Sequence, residues 1–416
     1  MIINMRRCGL LGQTLKHSYS PTIHKALGVD YSYELFEVEP ENLAEFMSNT
    51  DWDGLNVTIP YKQAVIPYCT SLSPSAIAIG SVNTIVRNSN GELYGDNTDA
   101  VGFLSMLRQS GINVAGKKVL VLGSGGSSLT VCHVLKNQGA GEIVVISRHG
   151  EETYETLDRH KDAQVVVNTT PVGMYPNTGI SPITTPTGLD GFPMLEGVLD
   201  LIYNPARTRL LMDAEARGIP NIGGLSMLVG QAAEAAKMFC EIVISNEKEQ
   251  EVIHLLQKQM ENIILVGMPG SGKSVIGKLL ANQLNRRFID IDTEIEKVAG
   301  RTIPEIFEQD GEEHFRIIES QAVEKWGKES GFVIATGGGV VTREENYPHL
   351  HQNGKIILIE RDIAKLDRSG RPLSQGGLQS LYERRLPMYQ RFADHTVQNA
   401  GEPQDAVNQF KSVFDF

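Results

Sequence analysis

The chain has 416 residues, of which 41% are hydrophobic and 21% charged, and its net charge is −12. This length exceeds what one hydrophobic core supports, so we expect two or three domains. The acidic balance disfavours a nucleic-acid binder, which carries a basic face. We expect neither a secretion signal nor a membrane span, because no apolar run reaches roughly 18 residues. The cysteines have no paired spacing, which favours a reducing cytoplasm; they are Cys8, Cys69, Cys132 and Cys240.

Residues 1–100 carry short strand and helix patterns with polar residues between them. The motif HSYSP places Ser18 and Ser20 ahead of a short helix, where two hydroxyls on alternate residues can hold a carboxylate or cap the helix. The motifs GLNVTIPYK and GDNTDA carry Lys62 and Asp99. A lysine–aspartate pair can relay a proton while hydride moves to or from a nicotinamide ring. Other polar residues of these motifs and of GSVNT are Asn56, Thr58, Asn83, Asp96 and Asn97.

From Lys117 onward, apolar runs alternate with amphipathic stretches, which indicates a parallel α/β fold. The runs that read as buried strands are KKVLVLG, EIVVISR, QVVVNTT and GVLDLIY. The segment VLVLGSGGSS follows the strand–glycine loop–helix design of a dinucleotide site. After the next strand, an NAD site usually has an acidic residue, whereas this chain has Ser147 and Arg148. An arginine there suits a 2′-phosphate, so we predict NADP(H) as the cofactor.

In this combination and order the motifs resemble shikimate dehydrogenase, over about residues 8–239 and with the later segments NTTPVGM, DLIYNP and GGLSMLVGQAAEA. The resemblance implies a substrate-binding lobe over 1–100, completed by about 225–243, and a Rossmann NADP-binding domain over 101–224. It makes Lys62 and Asp99 the catalytic pair. The residues that it assigns to substrate are Ser18, Ser20, Thr58, Lys62, Asn83, Asp99, Tyr203 and Gln231. Those that it assigns to NADP are Gly123, Ser124, Gly125, Gly126, Ser127, Ser128, Ser147, Arg148, Leu201 and Gly224.

A charged, glutamine-rich stretch without glycine or proline predicts a linker helix over 244–261. The strand–turn–helix alternation then restarts, which predicts a second α/β domain over 262–416. Its first strand leads into GMPGSGKS, a phosphate-loop pattern whose backbone amides curl around phosphate oxygens. Lys273 would reach the terminal phosphates of ATP, and the Ser274 hydroxyl would hold Mg²⁺, with Asp290 acting through water. The phosphate-loop residues that we predict to bind the triphosphate are Gly270, Ser271, Gly272, Lys273, Ser274 and Val275.

Four features downstream of the phosphate loop suit a small acceptor. FIDID ends a strand with Asp290 and Asp292, which can hold Mg²⁺ or orient a hydroxyl nucleophile. GEEHFRIIE places Arg316 on a helix, and ATGGGVV places three glycines after a strand, where the backbone can approach a ligand closely. RSGRPLS and YERRLPMYQRFAD supply guanidinium groups for anion recognition; these are Arg368, Arg371, Arg384, Arg385 and Arg391.

Together these segments resemble shikimate kinase over about residues 262–397. The resemblance implies a small phosphate-loop kinase fold with a lid. It makes Arg371 a catalytic and ATP-binding residue of that lid, over the transferring phosphate. It assigns shikimate to Asp292, Arg316, Gly338 and Arg385. Whether Asp292 removes a proton or only orients the hydroxyl is left open by the residues alone. The C-terminal loop HTVQNAGEP lacks the arginine that some family members place near adenine.

The sequence therefore predicts a bifunctional enzyme that reduces 3-dehydroshikimate with NADPH and phosphorylates the resulting shikimate with ATP and Mg²⁺. One alternative keeps only one domain active and makes the other a binding or regulatory module. Another is a kinase for a different polyol acid, such as gluconate. The expected partners are small-molecule substrates, with no nucleic acid and no membrane.

Overall fold

The computed structural model describes residues 5–15, 18–49, 51–366 and 377–414. The chain divides into two compact units. The first comprises Met1–Gly173, Ile180–Tyr203 and Leu210–Leu256, and the second comprises Met174–Gly179, Asn204–Arg209 and Gln257–Phe416. Two sheets belong to the first unit and one sheet to the second.

The first sheet has six strands in the order β2-β1-β3-β5-β6-β4. The strands are β1 Arg6–Gly12, β2 Tyr31–Glu37, β3 Gly54–Val57, β4 Ser71–Leu72, β5 Thr84–Arg87 and β6 Leu93–Asp96. The accompanying helices are α1 Ser20–Leu27, α2 Leu43–Ser48 and α3 Pro74–Ile79. The core on one face includes Leu11, Trp52, Leu55 and Ile85, all at most 1% exposed. Strands β3 and β5 run antiparallel and pair Asn56 with Thr84, so two polar side chains become neighbours inside the sheet.

The second sheet is entirely parallel, with the order β12-β11-β10-β7-β8-β9. Its strands are β7 Lys118–Leu122, β8 Glu142–Ser147, β9 Glu152–Thr153, β10 Val165–Asn168, β11 Gly197–Asp200 and β12 Asn221–Gly223. Its helices are α4 Asp99–Ser110, α5 Gly126–Asn137, α6 Arg209–Ala216 and α7 Leu225–Cys240. This is the doubly wound Rossmann order, in which ligands bind at the carboxyl ends of the strands where the winding reverses. That point lies between β7 and β10, and the predicted α/β class is confirmed.

The segment predicted as a linker forms helix α8, Asn246–Met260. Three apolar residues on one face of it, Val252, Ile253 and Leu256, are at most 5% exposed. They pack in one core cluster with Ile23 of α1 and Phe239 of α7. The charged composition of this helix therefore belongs to its outer face, while its apolar stripe completes the core of the first unit.

The third sheet is also parallel, with the order β14-β15-β13-β16-β17. Its strands are β13 Asn262–Val266, β14 Arg287–Asp290, β15 Phe332–Ala335, β16 Gly354–Glu360 and β17 His395–Gln398. Its helices are α9 Lys273–Leu284, α10 Ile291–Ala299, α11 Ile303–Gly327, α12 Asn346–His351, α13 Leu378–Phe392 and α14 Pro403–Phe414. The central strands β13 and β15 are almost wholly buried, as expected of a sheet covered by helices on both faces.

In the described part of the chain, no helix is both long and apolar enough to cross a membrane. All four cysteines are free thiols, and Cys8 is fully buried, which raises the pKa of its thiol to about 12. This agrees with the absence of paired cysteine spacing in the sequence.

Candidate functional site

Lys62 and Asp99 meet in the first unit although 37 positions separate them. The Lys62 ammonium donates to Asp99 Oδ2 at 2.5 Å. Asp99 is the first residue of helix α4, where the positive end of the helix dipole favours a carboxylate. The Asp99 side chain is 7% exposed and that of Lys62 is 26% exposed, so the carboxylate holds the ammonium from behind while part of the lysine stays accessible. The pair can therefore present a proton donor to a ligand.

Asn83 is fixed beside this pair by bonds to both of its amide atoms. Its Oδ1 accepts from the backbone N–H of Thr98 at 2.7 Å and its Nδ2 donates to Gln231 Oε1 at 3.1 Å. Thr98 immediately precedes Asp99, and Gln231 lies on helix α7. Two residues of the predicted substrate set, 148 positions apart, are thus brought into direct contact.

The serine pair lies at the start of α1. Ser18 Oγ accepts from the backbone N–H of Ser20 at 3.2 Å, so Ser18 supports the first turn of the helix. The ring of Tyr203 meets the ring of Tyr19 edge to face at 5.9 Å. Tyr203 therefore lies beside the serine pair.

Thr58, another predicted substrate residue, follows β3, and its N–H donates to Leu11 O at 2.9 Å.

The glycine loop after β7 has the geometry of an anion-binding turn. Gly123 has φ +104°, and a Cβ there would lie 2.8 Å from both Thr169 Oγ1 and Thr170 Cγ2, so only glycine fits. A Cβ on Gly125 or Gly126 would meet no atom within 4 Å. Helix α5 begins at Gly126, so open space lies in front of a helix N-terminus, where phosphate binds.

The other residues assigned to NADP differ in their surroundings. Ser128 is buried at the base of α5, whereas Arg148 is exposed just beyond the end of β8, next to the buried Ser147. A side chain at Gly224 would collide with the backbone carbonyl of Leu201, so these two residues touch. An accessible guanidinium at the end of the second strand fits a cofactor that carries an additional phosphate. Ser124 and Ser127 belong to the glycine loop itself.

The phosphate loop of the second unit joins β13 to α9. Gly267 and Gly272 have φ +143° and +97°, values that favour glycine. Lys273 is buried at the first position of α9, and its ammonium donates to Gly267 O at 2.8 Å and Met268 O at 3.0 Å. The Lys273 side chain thus lies against the carbonyl groups of the loop, whose backbone amides would surround the phosphates.

Ser274 and Asp290 form the candidate magnesium site. Ser274 Oγ donates to Asp290 Oδ2 at 2.5 Å, and the other carboxylate oxygen, Oδ1, accepts from the N–H of Asp292 at 3.1 Å. A hydroxyl and a carboxylate beside a phosphate loop fit Mg²⁺, which takes few protein ligands and completes its shell with phosphate and water oxygens. No group of three or more His, Cys, Asp or Glu side chains suited to a metal occurs among the described residues.

A cavity of about 390 Å³ opens beside the phosphate loop. Most of the residues predicted for this half line it: Gly270, Gly272, Lys273, Ser274, Val275, Asp292, Arg316, Gly338 and Arg385. Ser271 is fully buried beneath it. Burial, together with the negative charges of Glu319 and Asp290, raises the pKa of Asp292 to about 7. This carboxyl can therefore gain or lose a proton near neutrality, as a group that handles a substrate proton should.

Arg316 is held in the cavity wall by its own helix. Its guanidinium donates to Glu319 Oε2 at 2.6 Å, one helical turn along α11, and both side chains are at most 7% exposed. Burial raises the pKa of Glu319, whereas the attraction between the two charges raises that of Arg316 in spite of its burial. Its other terminal nitrogen, Nη2, donates to the half-exposed Glu312 Oε1 at 3.2 Å, so a carboxylate that binds Arg316 would replace or share this contact.

The three glycines after β15 each face a different wall. A Cβ on Gly337 would strike the carboxylates of Glu319 and Asp292, and a Cβ on Gly339 would strike the Arg316 guanidinium. At Gly338 it would lie 2.6 Å from Pro269 of the phosphate loop. The carbonyl of Gly338 accepts from Arg385 Nη1 at 2.9 Å and from the Tyr389 hydroxyl. The three-glycine loop therefore contacts the phosphate loop on one side and helix α13 on the other.

Three residues that sequence reasoning missed take part in this unit. Glu319 pairs with Arg316, and the i, i+3 spacing within FRIIE was a usable signal. Tyr389 anchors Gly338 from α13. Asn399, 2% exposed, donates from Nδ2 to Ser271 O at 2.7 Å, in the loop where an adenine-side arginine is lacking.

Two of the predicted arginines, Arg368 and Arg371, lie outside the described residues. Arg391 pairs with Glu344 at 2.6 Å on the surface.

Fold and site define the class: a two-sheet dinucleotide-dependent oxidoreductase followed by a phosphate-loop kinase domain. The comparisons with known proteins agree. The model of the shikimate dehydrogenase substrate binding domain matches residues 10–85, and that of shikimate kinase matches residues 269–414. Shikimate dehydrogenase (NADP(+)) of Clostridium beijerinckii is 36% identical over 272 residues, covering 61% of this chain and 98% of that protein. The enzyme of the same name from Methanopyrus kandleri is 38% identical and covers 56% and 89%.

Solved structures give the same result for the first part of the chain. A chorismate mutase/shikimate 5-dehydrogenase fusion protein from Clostridium acetobutylicum superposes with a TM-score of 0.57 at 35% identity, covering 61% of this chain and 97% of that one. Shikimate 5-dehydrogenase from Thermus thermophilus, in complex with NADP(H) and shikimate, gives 0.53 at 32% identity and covers 60% and 99%. The chain belongs to the shikimate dehydrogenase family and carries a shikimate kinase domain after it.

Proposed function

We propose that the first half of the chain reduces 3-dehydroshikimate with NADPH and that the second half phosphorylates the resulting shikimate with ATP and Mg²⁺. The observation that carries the proposal is that reactive groups of both halves come together among the described residues. Lys62 is held by Asp99 at 2.5 Å, and Lys273, Asp292 and Arg316 line one cavity. The product of the first reaction is the substrate of the second, which gives a reason for their presence in one chain.

In the dehydrogenase half, Lys62 donates a proton to the oxygen of the carbonyl group as that oxygen gains negative charge. Asp99 directs the ammonium group through their hydrogen bond. Asn83 and Gln231, which are hydrogen-bonded to each other, bind ring hydroxyls as donors and acceptors. Ser18 and Ser20 bind the carboxylate from the start of α1. NADPH, when bound between the glycine loop and Arg148, supplies the hydride.

In the kinase half, Arg316 and Arg385 bind the carboxylate of shikimate, and Asp292 accepts the hydrogen bond of the reacting hydroxyl. Lys273 neutralises charge on the phosphoryl group as it moves. Ser274 and, through water, Asp290 would hold Mg²⁺, which offsets negative charge on the phosphates when it is present. Arg371 is proposed as the lid residue over the same group.

Two assays on one preparation of the full chain test this proposal. We expect NADPH consumption with 3-dehydroshikimate and ADP release with shikimate and MgATP. Silence in one assay at saturating substrate would favour the alternative in which that half is a binding or regulatory module. A substrate panel that includes gluconate tests the kinase specificity, and faster phosphorylation of gluconate than of shikimate would contradict the proposal.

We also propose that the protein is cytoplasmic, and its four free thiols support this location.

A further inference from the structure

Next to the predicted substrate residues of the first unit lies a second layer of polar groups, to which no substrate role was assigned. Tyr33, on β2, donates from its hydroxyl to Asn56 Oδ1 at 2.7 Å. Asn56 passes the contact on, since its Nδ2 donates to Thr84 Oγ1 at 3.1 Å. Thr84 is fully buried and donates to Asn83 Oδ1 at 3.3 Å. An unbroken path of hydrogen bonds therefore leads from Tyr33 to Asn83.

The Tyr33 hydroxyl keeps its proton near neutrality, because burial raises the pKa of this phenol above its ordinary value. The hydroxyl therefore acts as the donor in its hydrogen bond to Asn56 Oδ1.

The ring of Tyr33 is itself immobilised. It stacks on the imidazole of His24 with ring centroids 3.9 Å apart and an interplanar angle of 17°. His24 is fully buried, and burial lowers its pKa to about 3, so the imidazole stays neutral through the physiological range. The stack is therefore an uncharged clamp whose strength does not vary with pH near neutrality.

We propose that Tyr33 is a positioning residue of the dehydrogenase site, whose hydroxyl orients Asn56 and, through Thr84, the amide of Asn83. The inference rests on the proposed dehydrogenase function. Without the phenol, Asn56 Oδ1 loses its donor and the amide keeps only the bond from Nδ2 to Thr84 among the hydrogen bonds described above, so the support of Asn83 is weakened at its outer end. The substrate-binding side chains are then less ordered in the free protein, and ordering them costs binding free energy. KM for the substrate therefore rises more than kcat falls.

The chain offers a matched control. Tyr31 lies two residues earlier on β2 and in the same aromatic cluster, and its hydroxyl is 2.5 Å from His24 Nδ1. Tyr31→Phe and Tyr33→Phe each remove one buried hydroxyl next to the same histidine, so their effects on folding should be similar. Of the two hydroxyls, that of Tyr33 is the one hydrogen-bonded to the path that leads to Asn83.

The experiment measures shikimate oxidation with NADP⁺ by the full chain. For Tyr33→Phe we expect KM for shikimate to rise by about 2- to 10-fold, the effect of one lost hydrogen bond, with KM for NADP⁺ unchanged and kcat changed less. For Tyr31→Phe we expect KM for shikimate to stay within about twofold of wild type. Equal values of KM for the two variants would overturn the inference.

A second variant tests the path itself. Asn56→Leu breaks the same link from the other side, so it should raise KM for shikimate, and adding Tyr33→Phe to it should raise KM by less than it does in the wild type. An unchanged KM in Asn56→Leu, or full additivity of the two changes, would overturn the inference even if Tyr33→Phe alone failed to fold. Absence of turnover by the wild-type chain would instead overturn the proposed dehydrogenase function.

Discussion

The two proposed shikimate sites of this chain use different chemistry for the same small molecule. In the first unit, a single charged pair, Lys62 and Asp99, is surrounded by neutral amides and hydroxyls such as those of Asn83 and Gln231. In the second unit, several charges share one cavity wall, among them Asp292, Arg316 and Lys273. Neutral polar groups cost less to bury than charged groups, provided that a supporting layer hydrogen-bonds and orients them, whereas charged groups bind strongly but shift one another's pKa.

The difference is what the two proposed reactions require. A hydride transfer needs one proton donor at one oxygen, so a single lysine suffices. A phosphoryl transfer moves a multiply charged group, so cations must gather around it, and the acidic residues between them keep those cations apart and oriented. The following predictions test this contrast, from the largest expected effect to the smallest.

Removal of the one proton donor should have the largest effect. For Lys62→Ala we expect kcat/KM for 3-dehydroshikimate to fall by about 10²- to 10⁴-fold, because no other described side chain pairs with Asp99 as a proton donor. The kinase activity of the same preparation is the internal control and should stay at the wild-type level. A parallel loss of both activities would show that the variant damages the protein generally.

The contrast between charged and neutral carboxylate binders should appear in KM for shikimate. Arg385→Gln should raise KM of the kinase by about 10- to 100-fold, because a hydrogen bond to a charged donor is lost. Ser20→Ala should raise KM of the dehydrogenase by only about 2- to 10-fold. Steady-state kinetics of each variant, with the untouched activity as reference, measure both. Equal increases would contradict the view that the two sites bind the carboxylate differently.

Close packing of the glycine loop should limit what the kinase cavity tolerates. Gly338→Ala places a methyl group 2.6 Å from Pro269, so we expect a loss of about 1–3 kcal/mol in the free energy of unfolding, together with a higher KM for shikimate. Gly401→Ala is the matched control, since the nearest atom to its Cβ is Asp405 Oδ2 at 3.6 Å. Denaturant unfolding that gives the same midpoint for both variants would refute the packing argument.

The smallest effect is a shift in pH dependence. Because the ionised form of Asp292 is the one that accepts a hydrogen bond, kinase kcat/KM should be lost as the pH falls through about 7. Glu319 contributes to the raised pKa of Asp292 by repulsion, so Glu319→Gln should move the midpoint to lower pH. A pH profile of kcat/KM with ATP saturating measures this. A midpoint that moves upward in Glu319→Gln would contradict the assigned cause.

What could be predicted from sequence is what depends on local pattern. Buried parallel strands, the glycine loop at Gly123 and the phosphate loop at Lys273 each need only neighbouring residues, and the α/β class followed from them. The pairing of Arg316 with Glu319 was within reach, because three positions along a helix bring side chains together.

What could not be predicted is pairing between distant segments. Asn83 meets Gln231 across 148 positions, and Asn399 meets Ser271 across 128, and no local spacing encodes either contact. The hydrogen bonds from Tyr33 to Asn56 and from Asn56 to Thr84 could not be predicted for the same reason. Helix α8 was expected as a linker because its charges dominate its composition, while three apolar residues decide where it packs.

The glycine loop also bears on how this kinase could change over time. Gly337, Gly338 and Gly339 are each closed to a Cβ by a different neighbour, two carboxylates, a proline and a guanidinium. Even the smallest replacement at any of the three positions would require its neighbour to move as well. At Gly338 that neighbour is the ring and backbone of Pro269, so a change there would disturb the phosphate loop, whereas at Gly337 and Gly339 the neighbours are the ends of longer side chains. We expect new acceptor preferences to arise more readily around Ile303 and Phe307, which also line the cavity.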